Sequence, residues 1–197
     1  MYSAQKKINY NFTENYILDI LKNKYKNLNT LRKCKVLEIG CGVGLLATQL
    51  CLFFKKYNAI DRDQEVIDIA KSNTHSLYEN LRFDVYNIMN DNYTIKKKNI
   101  IIAINVVHFI KDFEKFFIKV NKILTKNGIC IIFEPPIEPN GWGTNLFNET
   151  SSEFDINKWN FKKKVLIDEY EYIMNHTNAK YYEHKNCRIF IIDKSNH

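Results

Sequence analysis

The 197-residue sequence is poor in the residues that interrupt or cross-link a chain. It contains 6 glycines and 3 prolines, too few for a long flexible linker. Its unbroken apolar runs, such as 100–104, are far too short to cross a bilayer. The first residues also lack the apolar segment of a secretory signal. We therefore expect one cytoplasmic globular domain over 1–197 with no membrane association.

Cysteine is present in an odd number and in a pattern that argues against cross-links. No C-x-x-C spacing occurs, so neither a disulfide framework nor a cysteine-based zinc site is expected. Free buried thiols in a reducing compartment are the interpretation that fits. The 5 cysteines are Cys34, Cys41, Cys51, Cys130 and Cys187.

Positive charge is in excess, with 29 Lys and Arg against 22 Asp and Glu, a net charge of +7. One interpretation is an anionic partner, such as RNA or a phosphorylated or carboxylated small molecule. The other is an ordinary solvated surface, because the lysine pairs and triples are scattered along the chain.

Strand-like and helix-like segments alternate along the chain. Short β-branched or apolar runs predict strands, and helices are expected near 45–54, after Asp63 and Asp112, and over 161–174. Thr13 is expected to cap an N-terminal helix, and Gly128 to form the turn before the fifth strand. This order predicts an α/β fold with a mostly parallel sheet, helices on both faces and a C-terminal antiparallel hairpin. The predicted strands are 35–39, 57–60, 81–85, 99–104, 129–133, 179–183 and 188–192.

A glycine-rich turn follows the first predicted strand and opens a helix: Glu38-Ile39-Gly40-Cys41-Gly42-Val43-Gly44. A dinucleotide turn, G-x-G-x-x-G, needs a third glycine where Leu45 stands. A P-loop needs a Lys and a hydroxyl residue that are missing here. A tight turn without a ligand is the remaining alternative.

The pattern E-x-G-x-G-x-G resembles motif I of class I S-adenosylmethionine-dependent methyltransferases. The resemblance covers roughly residues 30–135 and implies a Rossmann-like, doubly wound, seven-stranded fold. It also implies that S-adenosylmethionine is the cofactor and that a methyl group passes to an O, N or C nucleophile. By resemblance, the cofactor site is shaped by Glu38, Gly40, Cys41, Gly42 and Gly44.

Polar residues follow the next predicted strands, where ligands of parallel sheets bind. Asp61, 21 residues after Gly40, is suited to accept hydrogen bonds from ribose hydroxyls, and Arg62 is expected to flank the adenosine. A simple helix-capping role for Asp61 is the alternative, although Asp63 already suits the cap. By resemblance, Asn87 and Ile88 lie at the adenine, with Asp84 as a rival.

The fourth and fifth strand ends carry the candidate catalytic residues. By resemblance, Asn105 lies beside the methyl donor. His108 is a candidate general base, and the alternative is a packing or capping role. Glu134 is a candidate base or ligand for a substrate amine, and an ordinary loop acid is the alternative. The strand-end acids of metal-dependent relatives are not matched here, so no metal is expected.

The chain divides by expected role into a helical cap over 1–30, a cofactor-binding core over 31–135 and a substrate side over 136–197. Aromatic residues in the N-terminal segment and in the loop after 135 suggest a lid, or else ordinary packing. The proposed lid residues are Tyr2, Tyr10, Phe12, Tyr16, Trp142, Phe147, Phe154 and Trp159.

The acceptor is not fixed by any motif. Asn105-Val106-Val107-His108 lacks the prolines of the [DN]-P-P-[YFW] signature found in enzymes that methylate base amino groups or glutamine. The short chain has no large inserted substrate domain, which favours a small-molecule acceptor. The alternatives are methylation of RNA or protein, a catalytically silent binding partner and an NAD-binding oxidoreductase.

Overall fold

The computed structural model describes residues 10–74, 77–90, 95–135, 137, 156–184 and 187–196. The chain forms two compact units. The first unit contains residues 1–92 and 98–100, and the second contains 93–97 and 101–197.

The first unit is built on parallel strands in the order β3-β2-β1. Val36 pairs with Tyr57, and Tyr57 pairs with Leu81, so the strands run level. Their carboxyl ends therefore lie at one edge, with Asp61 paired to Val85 there. The elements are α1 (Tyr10–Tyr25), α2 (Leu28–Leu31), β1 (Lys35–Ile39), α3 (Leu45–Leu50), β2 (Lys56–Asp61), α4 (Gln64–Thr74) and β3 (Leu81–Val85).

Local sequence explains where α4 begins and which face it buries. The side chain of Asp63 accepts a hydrogen bond from the backbone N of Glu65 at 2.9 Å, as a helix cap does. Ile67 and Ala70, three residues apart, are fully buried. This confirms the capping role predicted for Asp63.

The second unit carries the rest of the sheet, in which β5, β7 and β6 pair antiparallel. Strand β4 is shared, because its first three residues belong to the first unit and the others to the second. A short 3-10 turn, Val107–Phe109, follows β4. The remaining elements are β4 (Lys98–Ile104), α5 (Phe113–Ile123), β5 (Leu124–Glu134), α6 (Ile156–His176), β6 (Ala179–His184) and β7 (Cys187–Asp193).

The strand order is β3-β2-β1-β4-β5-β7-β6. Ile100 through Ala103 of β4 and Cys130 through Ile132 of β5 are fully buried, as expected for central strands covered on both faces. The predicted α/β fold, with its seven-stranded, mostly parallel sheet and C-terminal hairpin, is confirmed.

Two local predictions were wrong. Thr13 does not cap the N-terminal helix, because α1 begins at Tyr10 and buries Thr13 inside it. Gly128 does not form a turn, because β5 already begins at Leu124 and runs through it. In both cases the regular element begins earlier than the local residue preference indicates.

Part of the proposed lid falls outside the residues that the structure describes. Tyr2, Trp142, Phe147 and Phe154 of the proposed lid lie outside the described residues. The described helices include none with the length and apolar character needed to span a membrane. All five cysteines are free thiols, four of them buried.

Candidate functional site

The glycine turn of the first unit is anchored to the end of the neighbouring strand. The backbone N of Gly40 and the backbone N of Cys41 both donate to Ile60 O, at 2.8 and 3.0 Å. The turn therefore stands at the carboxyl edge of β1 and β2, the edge predicted to carry the ligand.

Gly42 and Gly44 of this turn both have a left-handed backbone, but their surroundings differ. Gly44 has φ of 80°, and a Cβ there would lie 2.6 Å from the Phe83 ring. Gly42 also has a left-handed φ, 52°, but a Cβ there would meet nothing within 4 Å. Gly44 is thus required by packing, whereas Gly42 borders open space that a ligand can fill.

Asp61 is tied directly to the glycine turn. Its Oδ2 accepts a hydrogen bond from Gly42 N at 3.0 Å, and its Oδ1 accepts one from Asp63 N at 3.1 Å. A carboxylate has room for further hydrogen bonds at both oxygens, so Asp61 can bind the turn and a hydroxyl-bearing ligand together. Arg62, the next residue, is exposed.

Glu38 is a buried carboxyl at the same edge, only 3% exposed. It accepts a hydrogen bond from Tyr57 Oη at 2.8 Å. Burial raises the pKa of Glu38 from 4.5 to about 8, and the charge of Asp61 adds to the rise. Burial, with the charges of Glu38 and Asp61, likewise raises the pKa of the Cys41 thiol far above its usual range. Burial therefore keeps Glu38 and Cys41 mostly protonated at neutral pH beside Asp61.

The segment after β3 forms a compact turn. Asn87 accepts from Met89 N through its side-chain oxygen at 2.9 Å, and from Asn90 N through its backbone oxygen at 2.9 Å. Ile88 is buried. Asp84, the rival to Asn87, pairs with exposed Arg82 at 3.0 Å. No adenine contact is tested by these bonds, so the roles of Asn87 and Ile88 stay predictions.

The second unit brings Asn105, His108 and Glu134 together around the end of β4. Asn105 has a left-handed φ of 54°, and its backbone N donates to Phe133 O at 2.8 Å. Asparagine tolerates this conformation better than most residues. After Asn105 the backbone N–H groups of Val106 and Val107 point toward the end of β5.

Glu134, fully buried at the end of β5, binds this segment. Its Oε1 accepts from Val106 N at 3.0 Å and from Val107 N at 2.7 Å. Its Oε2 makes a very short contact with His108 Nδ1. Because the carboxyl is fully buried and already contacts three groups of the chain, a positioning role for Glu134 is favoured over the predicted role as a base or amine ligand.

The same contact sets the proton arrangement of the His108 ring. When the ring is neutral and Glu134 is ionised, the carboxylate can only accept, which assigns the proton to Nδ1 and leaves a lone pair on Nε2. The ring also lies 4.0 Å, between centroids, from Phe109. His108 is thus a histidine with a fixed orientation and one nitrogen able to accept a proton.

Three residues around these groups were missed by sequence reasoning: Tyr57, Glu169 and Arg188. Tyr57 appears in the sequence as an ordinary strand residue, although it holds Glu38. Arg188 and Glu169 form a fully buried ion pair at 2.8 Å in the second unit. A positive charge inside an apolar strand, Cys187–Asp193, is the one signal that would have drawn attention to Arg188.

Metal ligands do not gather in the part of the chain that the structure describes. No group of three or more His, Cys, Asp or Glu side chains there is arranged to hold a metal ion.

Similar proteins were found both by sequence and by structure. The ubiquinone biosynthesis O-methyltransferase of Rickettsia bellii is 29% identical over 121 residues, covering 60% of this chain and 48% of that protein. The enzyme of the same name from Pelagibacter ubique is 32% identical over 103 residues, covering 52% and 42%. This chain therefore spans about half the length of the curated relatives it matches.

Solved structures share the fold at lower identity. An S-adenosylmethionine-dependent methyltransferase from Clostridium acetobutylicum superposes with a TM-score of 0.66 at 16% identity, covering 95% of this chain and 92% of that one. The N-methyltransferase NodS from Bradyrhizobium japonicum, in complex with S-adenosyl-L-homocysteine, gives 0.57 at 14% identity, covering 92% and 87%.

A family model described as "Methyltransferase domain" matches residues 31–180, about three quarters of the chain. That match includes the glycine turn, Asp61, the His108 turn and Glu134. The chain therefore belongs to this methyltransferase domain family, and its fold is that of S-adenosylmethionine-dependent methyltransferases.

Proposed function

We propose that this chain binds S-adenosylmethionine through its glycine turn and methylates a hydroxyl oxygen of a small molecule. The observation that carries the proposal is the contact between His108 Nδ1 and the Glu134 carboxyl, which in a neutral ring holds the proton on Nδ1 and leaves Nε2 as the nitrogen that accepts one. Removal of a hydroxyl proton is the chemical help that a methyl transfer to oxygen needs from a protein.

The residues of the first unit fit the cofactor. Gly42 borders open space, which lets a ligand approach the backbone. Asp61 keeps acceptor capacity for ribose hydroxyls beside its bond to Gly42. The Asp61 carboxylate suits a ligand that carries positive charge, and S-adenosylmethionine is such a ligand because of its ammonium and sulfonium groups. Glu38, with a pKa of about 8, adds a polar group that is mostly protonated at neutral pH.

The chemistry is a single displacement with one proton to remove. Bound S-adenosylmethionine supplies a methyl group on sulfur, which the acceptor oxygen takes as S-adenosylhomocysteine leaves. His108 Nε2 accepts the hydroxyl proton, so that one O–H bond is exchanged for one N–H bond. Glu134 stabilises the imidazolium that results and keeps Nδ1 as the donor.

The relatives support oxygen as the methylated atom, since the proteins from Rickettsia and Pelagibacter are both named as O-methyltransferases of ubiquinone biosynthesis. An amine acceptor fits the site less well. Glu134, the acid that would bind an ammonium, is fully buried, and its two oxygens already contact three groups of the chain.

RNA is the second candidate partner, because the first unit carries a basic cluster. Lys35 and Lys56 are register partners at the starts of β1 and β2. The pKa of the buried Lys98 is lowered chiefly by its burial and further by the charges of Lys35 and Lys56. This basic cluster lies at the amino edge of the strands, opposite the edge of the glycine turn. It therefore suits an anionic partner but not the methyl-accepting position.

The test is a transfer assay with methyl-labelled S-adenosylmethionine. We would offer matched pairs of small aromatic compounds, one with a hydroxyl and one with an amine at the same position, and in parallel short RNA. Label is expected in the hydroxyl compounds, with kcat lowered about 10²-fold or more in His108→Gln because proton removal contributes roughly that much.

A second histidine provides the control. His176 lies on the exposed end of α6, so His176→Gln is expected to keep full activity. Label in RNA or in the amines alone, or full activity of His108→Gln, would contradict the proposal.

A further inference from the structure

A buried cluster of ionisable side chains joins Glu134 to two residues, Arg188 and Glu169, that the proposed reaction does not use. Arg188 of β7 is 1% exposed, and Glu169 of α6 and Glu134 of β5 are fully buried. Burying three ionisable side chains is costly unless each is bound to specific partners. The arrangement therefore calls for an explanation beyond packing.

Arg188 uses all three arms of its guanidinium. Its Nε donates to Pro135 O at 2.7 Å, its Nη1 donates to Leu166 O at 3.0 Å, and its Nη2 donates to Glu169 Oε2 at 2.8 Å. The planar fork of arginine can bind three acceptors in fixed directions, which lysine cannot do. Arg188 thus fastens the end of β5 to two points on α6.

The bond from Arg188 Nε to Pro135 O lies one residue away from Glu134, the residue that contacts His108. Pro135 directly follows Glu134, and Glu134 is the register partner of Arg188 across β5 and β7. Directly paired residues on antiparallel strands point to the same face of the sheet. The Arg188 and Glu134 side chains therefore share one face of the sheet, and Arg188 binds the backbone carbonyl of the residue that follows Glu134.

Glu169 completes the cluster. Its Oε1 is buried without a hydrogen-bond partner, so Arg188 is its polar contact among the described residues. Burial, and then the charge of Glu134, raise the pKa of Glu169 well above its usual range, while Arg188 opposes the rise. The two carboxyls therefore interact, and the guanidinium that binds Glu169 lies on the register partner of Glu134.

We propose that Arg188, held by Glu169, is a positioning residue that fixes the Glu134 carboxyl and through it the orientation and Nδ1–H tautomer of His108. This inference rests on the proposed function only for the use made of His108. The contacts from Arg188 to Pro135, and from Glu134 to His108, are independent of which acceptor is methylated.

The tautomer of His108 can be read directly by NMR, without an acceptor. Protein labelled with nitrogen-15 in its histidine rings shows, in long-range nitrogen–proton spectra, which ring nitrogen carries the proton. The chain has 5 histidines, and loss of one signal set in His108→Gln assigns the ring. In the wild type, at a pH where the ring is neutral, we expect a single Nδ1–H tautomer.

Arg188→Lys is the informative variant, because it keeps the charge but removes the three-way fork. We expect a second set of His108 signals from the Nε2–H tautomer, as the Glu134 carboxyl loses its fixed position. Arg82→Lys is the matched control, since Arg82 pairs with Asp84 at an exposed site in the first unit. The control is expected to leave the His108 signals unchanged.

Glu169 provides an independent route if Arg188→Lys does not fold. Glu169→Ala leaves the guanidinium bonded to both carbonyls but frees its third arm, and mixed His108 tautomers are expected. Glu169→Gln keeps an oxygen for Nη2 and is expected to restore the single tautomer. An unchanged His108 spectrum in a folded Arg188→Lys or Glu169→Ala protein would overturn the proposal, even if His108 later proves to be the base.

Discussion

At the scale of single residues, Glu38 links the ligand site to the stability of the fold. Its pKa of about 8 in the folded chain lies above the ordinary value of 4.5, because the carboxyl is buried. The folded chain therefore keeps the Glu38 proton over a pH range in which the unfolded chain has lost it.

This difference predicts how stability depends on pH. Between about 4.5 and 8 the folded state binds more protons, so Glu38 contributes a free energy of unfolding that falls as pH rises, by at most about 1.4 kcal/mol per pH unit. Urea unfolding at several pH values measures this slope. Glu38→Gln, whose amide oxygen can still accept from Tyr57, is expected to flatten it.

Asp68→Asn is the control for that slope, since Asp68 is an exposed carboxyl on α4. Its slope is expected to match the wild type. If Glu38→Gln shows the same pH dependence as the wild type, then Glu38 does not hold its proton in the folded chain.

Substitutions at two of the three glycines in the turn, Gly42 and Gly44, distinguish an effect on packing from an effect on ligand binding. Gly44→Ala is expected to lower the free energy of unfolding by about 2–4 kcal/mol, because strain at positive φ adds to a collision with Phe83. Gly42→Ala carries the backbone strain alone, about 1–2 kcal/mol, since the added Cβ meets no protein atom.

The two variants are expected to rank in the opposite order for ligand binding. Gly42→Ala, which loses less stability, is expected to lose more affinity for S-adenosylhomocysteine. Gly42→Ala places its methyl group in the space assigned to the ligand and is expected to bind at least about tenfold more weakly, a cost of about 1.4 kcal/mol. Unfolding curves and calorimetric titration on both variants measure the two effects. Normal binding by Gly42→Ala would remove the ligand from that space.

At this scale the sequence is informative where a residue type is unusual for its place. Three glycines and an acid after a strand predict a ligand turn, and the structure places Asp61 against Gly42. The bond from Tyr57 to Glu38 was not predictable, since tyrosine is a common strand residue and the partners lie 19 positions apart.

At the scale of elements, the turn after β4 depends on one side chain from β5. Glu134→Gln keeps an oxygen that can accept from Val106 N and Val107 N, so the fold is expected to persist. The amide nitrogen would face His108 Nδ1 as a donor and force the proton to Nε2, which removes the base. We expect kcat to fall about 10²-fold in the methyl-transfer assay.

Glu114→Gln is the matched control for this change, because Glu114 is an exposed acid in the first turn of α5. It is expected to keep wild-type kcat. A Glu134→Gln enzyme with wild-type kcat would show that the tautomer of His108 has no part in the reaction.

Element boundaries were less predictable than the elements themselves. Helix α1 begins three residues before Thr13, and β5 begins four residues before Gly128. At β5 the burial of Leu124 and Ile129 outweighs a turn preference, which amounts to about 1 kcal/mol. Where no such competition exists, as at Asp112, the predicted cap is confirmed by its 2.8 Å bond to Lys115 N.

At the scale of the whole molecule, the order of strands and helices was predictable because burial dictates it. Continuous β-branched runs such as 100–104 are stable only inside a sheet covered on both faces. The Arg188 cluster was not predictable, since its bonds to Pro135 and Leu166 span 53 and 22 positions. The fold also leaves the acceptor open, because acceptor choice resides in site residues and not in the fold.

The most direct test of the central claim is calorimetric titration with S-adenosylmethionine and S-adenosylhomocysteine, with NAD as the control ligand. We expect saturable binding of both sulfur ligands and none of NAD. Asp61→Ala is expected to abolish binding of the sulfur ligands, whereas Asp63→Ala, which removes only the α4 cap, is expected to preserve that binding. Binding of NAD alone, or of neither sulfur ligand by folded wild-type protein, would contradict the account.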